Sequence, residues 1–142
     1  MVFASLRYRS NTFWCNVPTT SPGNIESIST LSTELISLRN DIVGTILVGD
    51  FNCHNVRWLR FSSGMSTEGR ALHRFAMDHG LEQIVREATR GDYLLDLVLT
   101  DLGDSAKAYV LPAIADHNLV LASFKFSMER QSCPDARFGV TV

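Results

Sequence analysis

The stretch TILVGDFN, residues 45–52, is the part of the sequence from which fold and chemistry can both be inferred. Its first four residues, Thr45 to Val48, form a short run of apolar and β-branched side chains, which predicts a buried strand that ends at Gly49. Asp50 and Asn52 follow directly. If the extended backbone continues through them, their side chains point to the same side, because side chains alternate along a strand.

A carboxylate beside a carboxamide suits acid–base chemistry on water. Asp50 can accept a proton from water, and Asn52 can donate hydrogen bonds to a developing anion. The alternative is an Asx turn that closes the strand, since Asp and Asn are frequent in such turns. Position alone favours the turn, so the chemical interpretation depends on residues elsewhere in the chain.

The segments on either side predict a mixed α/β fold with sheets covered by helices. Apolar residues at steps of three and four predict two amphipathic helices, at residues 25–38 and 67–79, and Gly80 is placed to end the second. Further strands or extended segments are expected at residues 2–6, 81–85, 93–100 and 119–126.

Composition restricts the class of protein. The chain has 142 residues, 45% of them hydrophobic and 20% charged, which is enough apolar material for one domain with a core. Its formal net charge of −2 gives no global positive field, so a nucleic-acid ligand would need a local basic patch or a metal ion. No signal peptide or membrane span is recognisable, and we expect a soluble protein.

The cysteines argue against a disulfide framework and against a zinc site. Cys15, Cys53 and Cys133 are odd in number, and none belongs to a Cys-x-x-Cys pair. This usage favours a reducing, intracellular setting.

Two further polar groups accompany predicted strands. Asp96 lies inside the aliphatic run LLDLVL, residues 94–99, where a carboxylate is costly unless a cation, a histidine or backbone donors pair with it. Alternatively, Asp96 opens the strand at a half-exposed position. Asp116 and His117 precede the last strand. Asp binds hard cations such as Mg²⁺, and a histidine oriented by a carboxylate can stabilise a charged transition state, although an Asp-His pair in a loop is commonly a solvated turn.

Together these groups offer what a displacement at phosphorus requires, namely carboxylates for water activation and metal binding, a carboxamide donor and an oriented imidazole. The sequence also resembles the endonuclease/exonuclease/phosphatase superfamily, which has the DNase I-like fold. It is most similar to the apurinic-type endonuclease domains of non-LTR retrotransposons. The blocks that carry the resemblance are ILVGDFNCH (46–54) with Trp58, Gly80-Leu81, Thr89-Arg90, LDLVLT (95–100) and ADH (115–117).

The resemblance covers residues 25–126 and corresponds to the C-terminal half of such a domain. It implies a DNase I-like two-sheet sandwich flanked by helices in four layers, incomplete at its N-terminus. On this basis residues 1–128 form the partial domain, and residues 129–142 form a polar tail.

The resemblance also implies a role for each polar residue. Asp50 matches the aspartate that activates the attacking water, and Asn52 matches the asparagine that donates to the scissile phosphate. Asp96 matches the carboxylate that orients the histidine. His117 matches the histidine that stabilises the pentacovalent phosphorane, and Asp116 matches an aspartate at the metal and water site.

The implied activity is Mg²⁺-dependent hydrolysis of DNA phosphodiesters, with Mn²⁺ as a substitute cation. The implied partners are DNA, in the nucleus, and a reverse transcriptase domain encoded downstream. The sequence departs from the family in two respects. We find no equivalent of the family's upstream asparagine and glutamate, of which the glutamate is the main Mg²⁺ ligand, and Ala115 stands where a small hydroxyl residue is frequent. Two alternatives follow: a catalytically inactive, truncated fragment of such a domain, and a phosphatase of the same superfamily, against which the LDLVLT block argues.

Three residues are candidates for contact with substrate. His54 and Trp58 follow the Asp50 loop, where Trp58 could stack on a base or a sugar, and loop packing is the alternative for both. Arg90 is the best candidate for a phosphate contact. The other members of a local basic rim would be Arg57, Arg60 and Arg86. Surface or packing positions are expected for His73 and His79.

Overall fold

The architecture comes from a computed structural model. It describes the backbone of residues 4–9, 12–16, 25–38, 44–113 and 116–125, and the side chains of the last three of these ranges except that of Leu38. The strands and helices, in chain order, are β1 (Ala4–Arg9), β2 (Thr12–Asn16), α1 (Ile25–Leu38), β3 (Ile46–Asp50), α2 (Thr67–Asp78), β4 (Glu82–Gln83), β5 (Asp96–Thr100), β6 (Ala106–Ala113) and β7 (Asn118–Phe124).

The apolar run at the start of TILVGDFN forms the middle strand of a five-stranded antiparallel sheet. The strand order is β2-β1-β3-β5-β4, so β3 pairs with β1 on one side and with β5 on the other. Ile46 and Leu47 are at most 2% exposed, because a strand covered on both faces needs apolar side chains at successive positions. The predicted buried strand is confirmed. It ends at Asp50 rather than at Gly49, since Asp50 still pairs with Asp96 of β5.

Both helices and the second sheet pack on one core. Leu31 and Leu35 of α1 and Leu72 and Phe75 of α2 belong to the same buried cluster as the apolar residues of β3 and β5. The second sheet consists of β6 and β7, paired antiparallel. Its partly buried face packs on that cluster through Ala108, Val110, Val120, Ala122 and Phe124. The chain is therefore mixed α/β with two small antiparallel sheets, consistent with part of a DNase I-like fold, as expected from the sequence.

Most predicted elements are present, but two strands are additional. Both helices form as expected, and Gly80 follows α2 with a φ of 65°, the left-handed conformation that ends a helix. Strands β2 and β6 were not predicted. In β6, Pro112 has no N–H group to donate and lies at a register shift between Leu111 and Ala113, a position that tolerates proline in a strand.

Some expectations concern residues that the structure does not describe. The polar tail at 129–142 lies outside the described residues, and so do Ala115 and the side chains of Cys15 and Cys133. Among the described residues, no helix has the length and apolar character needed to cross a membrane.

Helix α2 is fixed to the loop that follows β3 by close backbone contacts. Ser66 caps the helix by accepting a hydrogen bond from the Gly69 N–H at 2.9 Å, and its hydroxyl also accepts from the His54 N–H at 3.1 Å. Asn55, which is 1% exposed, donates through Nδ2 to the Gly69 carbonyl at 3.1 Å. A Cβ on Gly69 would lie 2.1 Å from the His54 carbonyl oxygen, so this contact requires glycine.

We predict that Gly69→Ala destabilises the protein. Alanine normally favours a helix over glycine, but here its methyl group must displace backbone, and overpacking of this kind costs about 1–3 kcal/mol. The measurement is urea unfolding followed by circular dichroism. Gly64→Ala is the control, because a Cβ at Gly64 meets nothing within 4 Å, and its unfolding free energy should change by less than about 0.5 kcal/mol. Equal midpoints for both variants would contradict the contact.

We predict that Cys53 is unreactive in the folded protein. Burial, with smaller contributions from the negative charges of Glu68 and Asp50, raises the pKa of this thiol from 9.0 to about 12. Since the thiolate is the reactive form, Cys53 in a Cys15→Ser, Cys133→Ser background should resist iodoacetamide at about pH 8.5 and react once urea unfolds the chain. Rapid alkylation without unfolding would contradict the burial.

The same raised pKa predicts the direction of a pH effect on stability. The folded state holds the Cys53 proton more tightly than the unfolded state does, so Cys53 does not weaken folding below about pH 9. The free energy of unfolding should then fall as pH rises from about 9 toward 12. In Cys53→Ala this contribution should be missing from the pH profile.

Candidate active site

The pairing of β3 with β5 brings two carboxylates face to face. Asp50 is the last residue of β3, Asp96 is the first of β5, and the two are register partners in the antiparallel ladder. Residues directly opposite have Cβ atoms about 5 Å apart on the same face, and like charges in such a pair repel. The position of Asp96 agrees with both interpretations of the sequence, since it opens the strand and also has a partner.

That partner is His117. Its Nδ1 lies 2.9 Å from Oδ2 of Asp96, with the two side chains 29% and 22% exposed. An ionised carboxylate can only accept a hydrogen bond, so the contact requires the proton on Nδ1. His117 directly precedes β7, which begins at Asn118. The position at which β7 starts therefore determines where the imidazole lies along β5.

Asp116 pairs with Arg90. Oδ2 of Asp116 accepts a hydrogen bond from an Arg90 guanidinium nitrogen at 2.9 Å and lies 3.9 Å from Nε2 of His117. Both side chains are substantially exposed, so solvent weakens the ion pair and leaves it open to exchange with other ions. Asp116, to which the resemblance gives a metal role, thus contacts Arg90, the candidate for a phosphate contact, beside His117.

Asn52 lies beside Asp50 but not on the same strand face. Its φ of 43° is left-handed, and its backbone N–H donates to Oδ1 of Asp50 at 3.0 Å. This is the Asx turn that the sequence left open as an alternative. The condition under which both side chains would point to one side, a strand that continues through Asn52, is not met, because β3 ends at Asp50. The side chain of Asn52 is exposed.

The side chains of Asp50, Asp96 and His117 form a cluster whose ligand atoms all lie within 4.8 Å of one another. We call these three residues the Asp–Asp–His cluster. Carboxylate oxygens are the ligands that Mg²⁺ and Mn²⁺ prefer, and a cation between two facing carboxylates would relieve their repulsion. The donor set therefore fits a divalent cation. Asp116 is not part of the cluster, and its assignment as a metal ligand stays a prediction.

The two candidates after the Asp50 loop have different surroundings. His54 makes an edge-on ring contact with Tyr93 at 5.3 Å, and Tyr93 pairs through its backbone with Arg90, so His54 lies next to the turn that carries Arg90. Trp58 packs on the core and stacks on His73 of α2 at 4.9 Å. These contacts of Trp58 are those of the packing alternative, and its role in substrate binding stays a prediction.

Two of the other three arginines of the expected rim contact residues outside the site. Arg86 forms an ion pair with Glu82, and Arg60 lies over the ring of Phe61. Of the four arginines, Arg90 is the one that a described contact joins to the site. His79 accepts or donates a 2.8 Å hydrogen bond with Ser32 and contacts Phe75, which confirms that it is a packing residue.

Thr89 and Asn118 also shape the site, and sequence reasoning gave neither of them a role. Thr89 is fully buried, and its Oγ1 accepts hydrogen bonds from the backbone N–H groups of Leu95 and Asp96. Asn118 donates from its backbone to the Thr89 carbonyl and from Nδ2 to the Ala88 carbonyl. The sequence marked Thr89 only as part of the Thr89-Arg90 block of the resemblance. This block has no hydrophobic periodicity from which a buried hydroxyl could be inferred.

One comparison with known proteins identifies the family of the chain. Residues 10–121, well over half of the chain, match the model of the endonuclease-reverse transcriptase family. No curated protein and no solved structure matches the chain. The match confirms the resemblance to the endonuclease domains of retrotransposons, within the endonuclease/exonuclease/phosphatase superfamily. It begins at residue 10, upstream of residue 25, where the resemblance begins. The chain therefore belongs to the endonuclease-reverse transcriptase family.

Proposed function

We propose that this chain hydrolyses DNA phosphodiesters in a Mg²⁺-dependent reaction, as the nicking domain of a retrotransposon that also encodes a reverse transcriptase. The observation that carries the proposal is the Asp–Asp–His cluster, in which two carboxylates and an imidazole meet within 4.8 Å at the end of β3 and β5. Few structural roles require two facing carboxylates, whereas a reaction at phosphorus requires cation binding and proton transfer at one place. A DNA substrate implies action in the nucleus.

In this mechanism Asp50 activates water. The Asn52 N–H occupies Oδ1 of Asp50, which holds the carboxylate in one orientation and leaves Oδ2 for the incoming nucleophile. The water gives a proton to Asp50 as its oxygen attacks phosphorus in line with the leaving oxygen, whose bond to phosphorus breaks and which takes a proton from solvent. Mg²⁺, or Mn²⁺ in its place, would supply charge neutralisation on the phosphate when held by the carboxylates of the cluster.

His117 and Asn52 then stabilise the charge that develops on phosphorus. With Nδ1 of His117 donating to Asp96, the imidazole has its Nε2 left to contact a phosphate oxygen, and the carboxylate holds the ring in one orientation. The carboxamide of Asn52 is exposed and can donate to a second oxygen. Groups fixed in advance in this way lower the barrier because they need no reorganisation during the reaction.

Arg90 and Asp116 would exchange partners when DNA binds. Their ion pair is exposed, and a DNA phosphate is a competing anion for the guanidinium group. Release of Arg90 leaves Asp116 available to the cation or to its water shell. His54, which contacts Tyr93 next to this turn, and Trp58 are the further residues that we assign to contact with DNA.

A catalytically inactive chain is the second candidate, and one observation favours it. Within the described residues the cluster holds two aspartates and no glutamate. A site with few carboxylates binds Mg²⁺ weakly, because this cation gives up its water reluctantly. We therefore expect slow nicking that rises with cation concentration rather than efficient turnover.

We predict that the protein nicks supercoiled plasmid in Mg²⁺ or Mn²⁺ and that chelation by EDTA stops the reaction. Asp50→Asn should lower the nicking rate by at least about 100-fold, because the proton acceptor is lost, and His117→Gln should have a comparable effect. The measurement is the rate of conversion from supercoiled to open-circular DNA, resolved on a gel.

Asp104→Asn is the matched control. Asp104 is an exposed aspartate in the 3-10 turn after the far end of β5, and its substitution should leave the rate unchanged. Nicking that persists in Asp50→Asn would contradict the assignment of Asp50. A wild-type rate no higher than that of Asp50→Asn would support the inactive alternative, and hydrolysis of p-nitrophenyl phosphate without nicking would support a phosphatase.

A further inference from the structure

One buried hydroxyl holds the start of β5 in place. Oγ1 of Thr89 accepts a hydrogen bond from the N–H of Leu95 at 3.1 Å and a second from the N–H of Asp96 at 2.9 Å. Thr89 has no exposed surface, so water cannot replace these bonds if the hydroxyl is lost. The backbone of Asp96 is therefore held by Thr89, which lies outside the β3–β5 ladder.

The same residue fixes the segment that carries the histidine. The Thr89 carbonyl accepts a hydrogen bond from the backbone N–H of Asn118 at 2.7 Å, directly after His117. The Asn118 side chain adds a bond to the carbonyl of Ala88. Thr89 thus contacts the chain at both members of the Asp96–His117 pair. Its hydroxyl bonds to the backbone of Asp96, and its carbonyl bonds to the backbone of Asn118, next to His117.

The turn that follows Thr89 is closed by its own hydrogen bonds. The N–H groups of Thr89 and Arg90 both donate to the carbonyl of Tyr93, and Tyr93 donates back to Arg90. Arg90, the partner of Asp116, is the next residue along the chain. Three chain segments that supply the site therefore meet at Thr89: the Arg90 turn, the first residue of β5 and the first residue of β7.

We propose that Thr89 is a positioning residue of the active site, acting through Asp96 on the orientation and tautomer of His117. The expected effect of Thr89 on nicking rests on the proposed function. Its expected effect on the His117 ring does not. A hydrogen bond of 2.9 Å between Asp96 and His117 tolerates little displacement of the carboxylate. Substitutions of groups that support a catalytic residue in this manner typically reduce activity by about 10- to 100-fold.

The test compares Thr89→Val, which keeps the size of the side chain and removes the hydroxyl, with Thr89→Ser, which keeps the hydroxyl. Long-range ¹H–¹⁵N NMR spectra of the full chain report which ring nitrogen of His117 carries the proton, with the signal assigned by its loss in His117→Gln. We expect a protonated Nδ1 in the wild type and in Thr89→Ser, and a shift of Nδ1 toward the unprotonated form in Thr89→Val. For nicking, kcat should fall about 10- to 100-fold in Thr89→Val with KM little changed, and serine should restore it.

Thr100→Val is the matched control for a merely structural effect. Thr100 is also fully buried, lies at the other end of β5 and accepts a backbone hydrogen bond from Leu102 at 3.2 Å. It should lose stability as Thr89→Val does and keep the His117 tautomer and kcat of the wild type. If Thr89→Val does not fold, Thr89→Cys replaces it, because a thiol of similar size is a weak acceptor.

An unchanged His117 tautomer in Thr89→Val would overturn the proposal, and so would an equal change in Thr100→Val. The tautomer readout requires no activity. Absence of nicking in the wild type would count against the proposed function alone, while the NMR comparison would still decide the role of Thr89.

Discussion

The register between β3 and β5 is the constraint on which the site depends. Five residue pairs run from Ile46 opposite Thr100 to Asp50 opposite Asp96. Five of these ten residues are apolar and buried, and a slip of one residue would turn every side chain of a strand to the other face. The hydrophobic core therefore fixes the register, and the register brings the two carboxylates together. The β3–β5 ladder therefore determines both the packing of the core and the geometry of the site.

The placement of positive groups follows from that ladder. Two carboxylates opposite each other repel, and nearby positive charge or hydrogen-bond donors offset this repulsion. The structure provides the Asn52 N–H for Asp50 and the His117 ring for Asp96, and it provides Arg90 for Asp116. The Asp–Asp–His cluster itself is suited to a further cation, because its donor atoms converge within 4.8 Å.

The sequence predicted the parts of the fold that periodicity determines. Helices α1 and α2 and the buried strand β3 follow from spacing alone, and the Asp50, Asp96 and His117 assignments followed from a resemblance that the family match confirms in outline. The roles of these residues are still proposals. Strand β6 was missed because its sequence, AKAYVLPA, is half-exposed and contains a proline, so that pairing with β7 rather than its own pattern makes it a strand.

Other features required three-dimensional information. The conformation of Asn52 depends on where β3 stops, which the pairing with β5 decides. The contact between Arg90 and Asp116 joins residues 26 apart in the chain, and the hydroxyl of Thr89 serves a strand that begins seven residues later. No local pattern encodes contacts of this kind, because they depend on how three segments meet.

The most direct test of the account is a crystal structure with Mn²⁺, with the cation located by anomalous scattering. We predict one strong peak within about 2.5 Å of carboxylate oxygens of Asp50 and Asp96, with His117 still bound to Asp96 through Nδ1. The same map would show whether Asp116 leaves Arg90 to join the cation. A peak elsewhere on the protein, or two facing carboxylates without a cation at saturating Mn²⁺, would contradict the claim that this cluster is a divalent-cation centre.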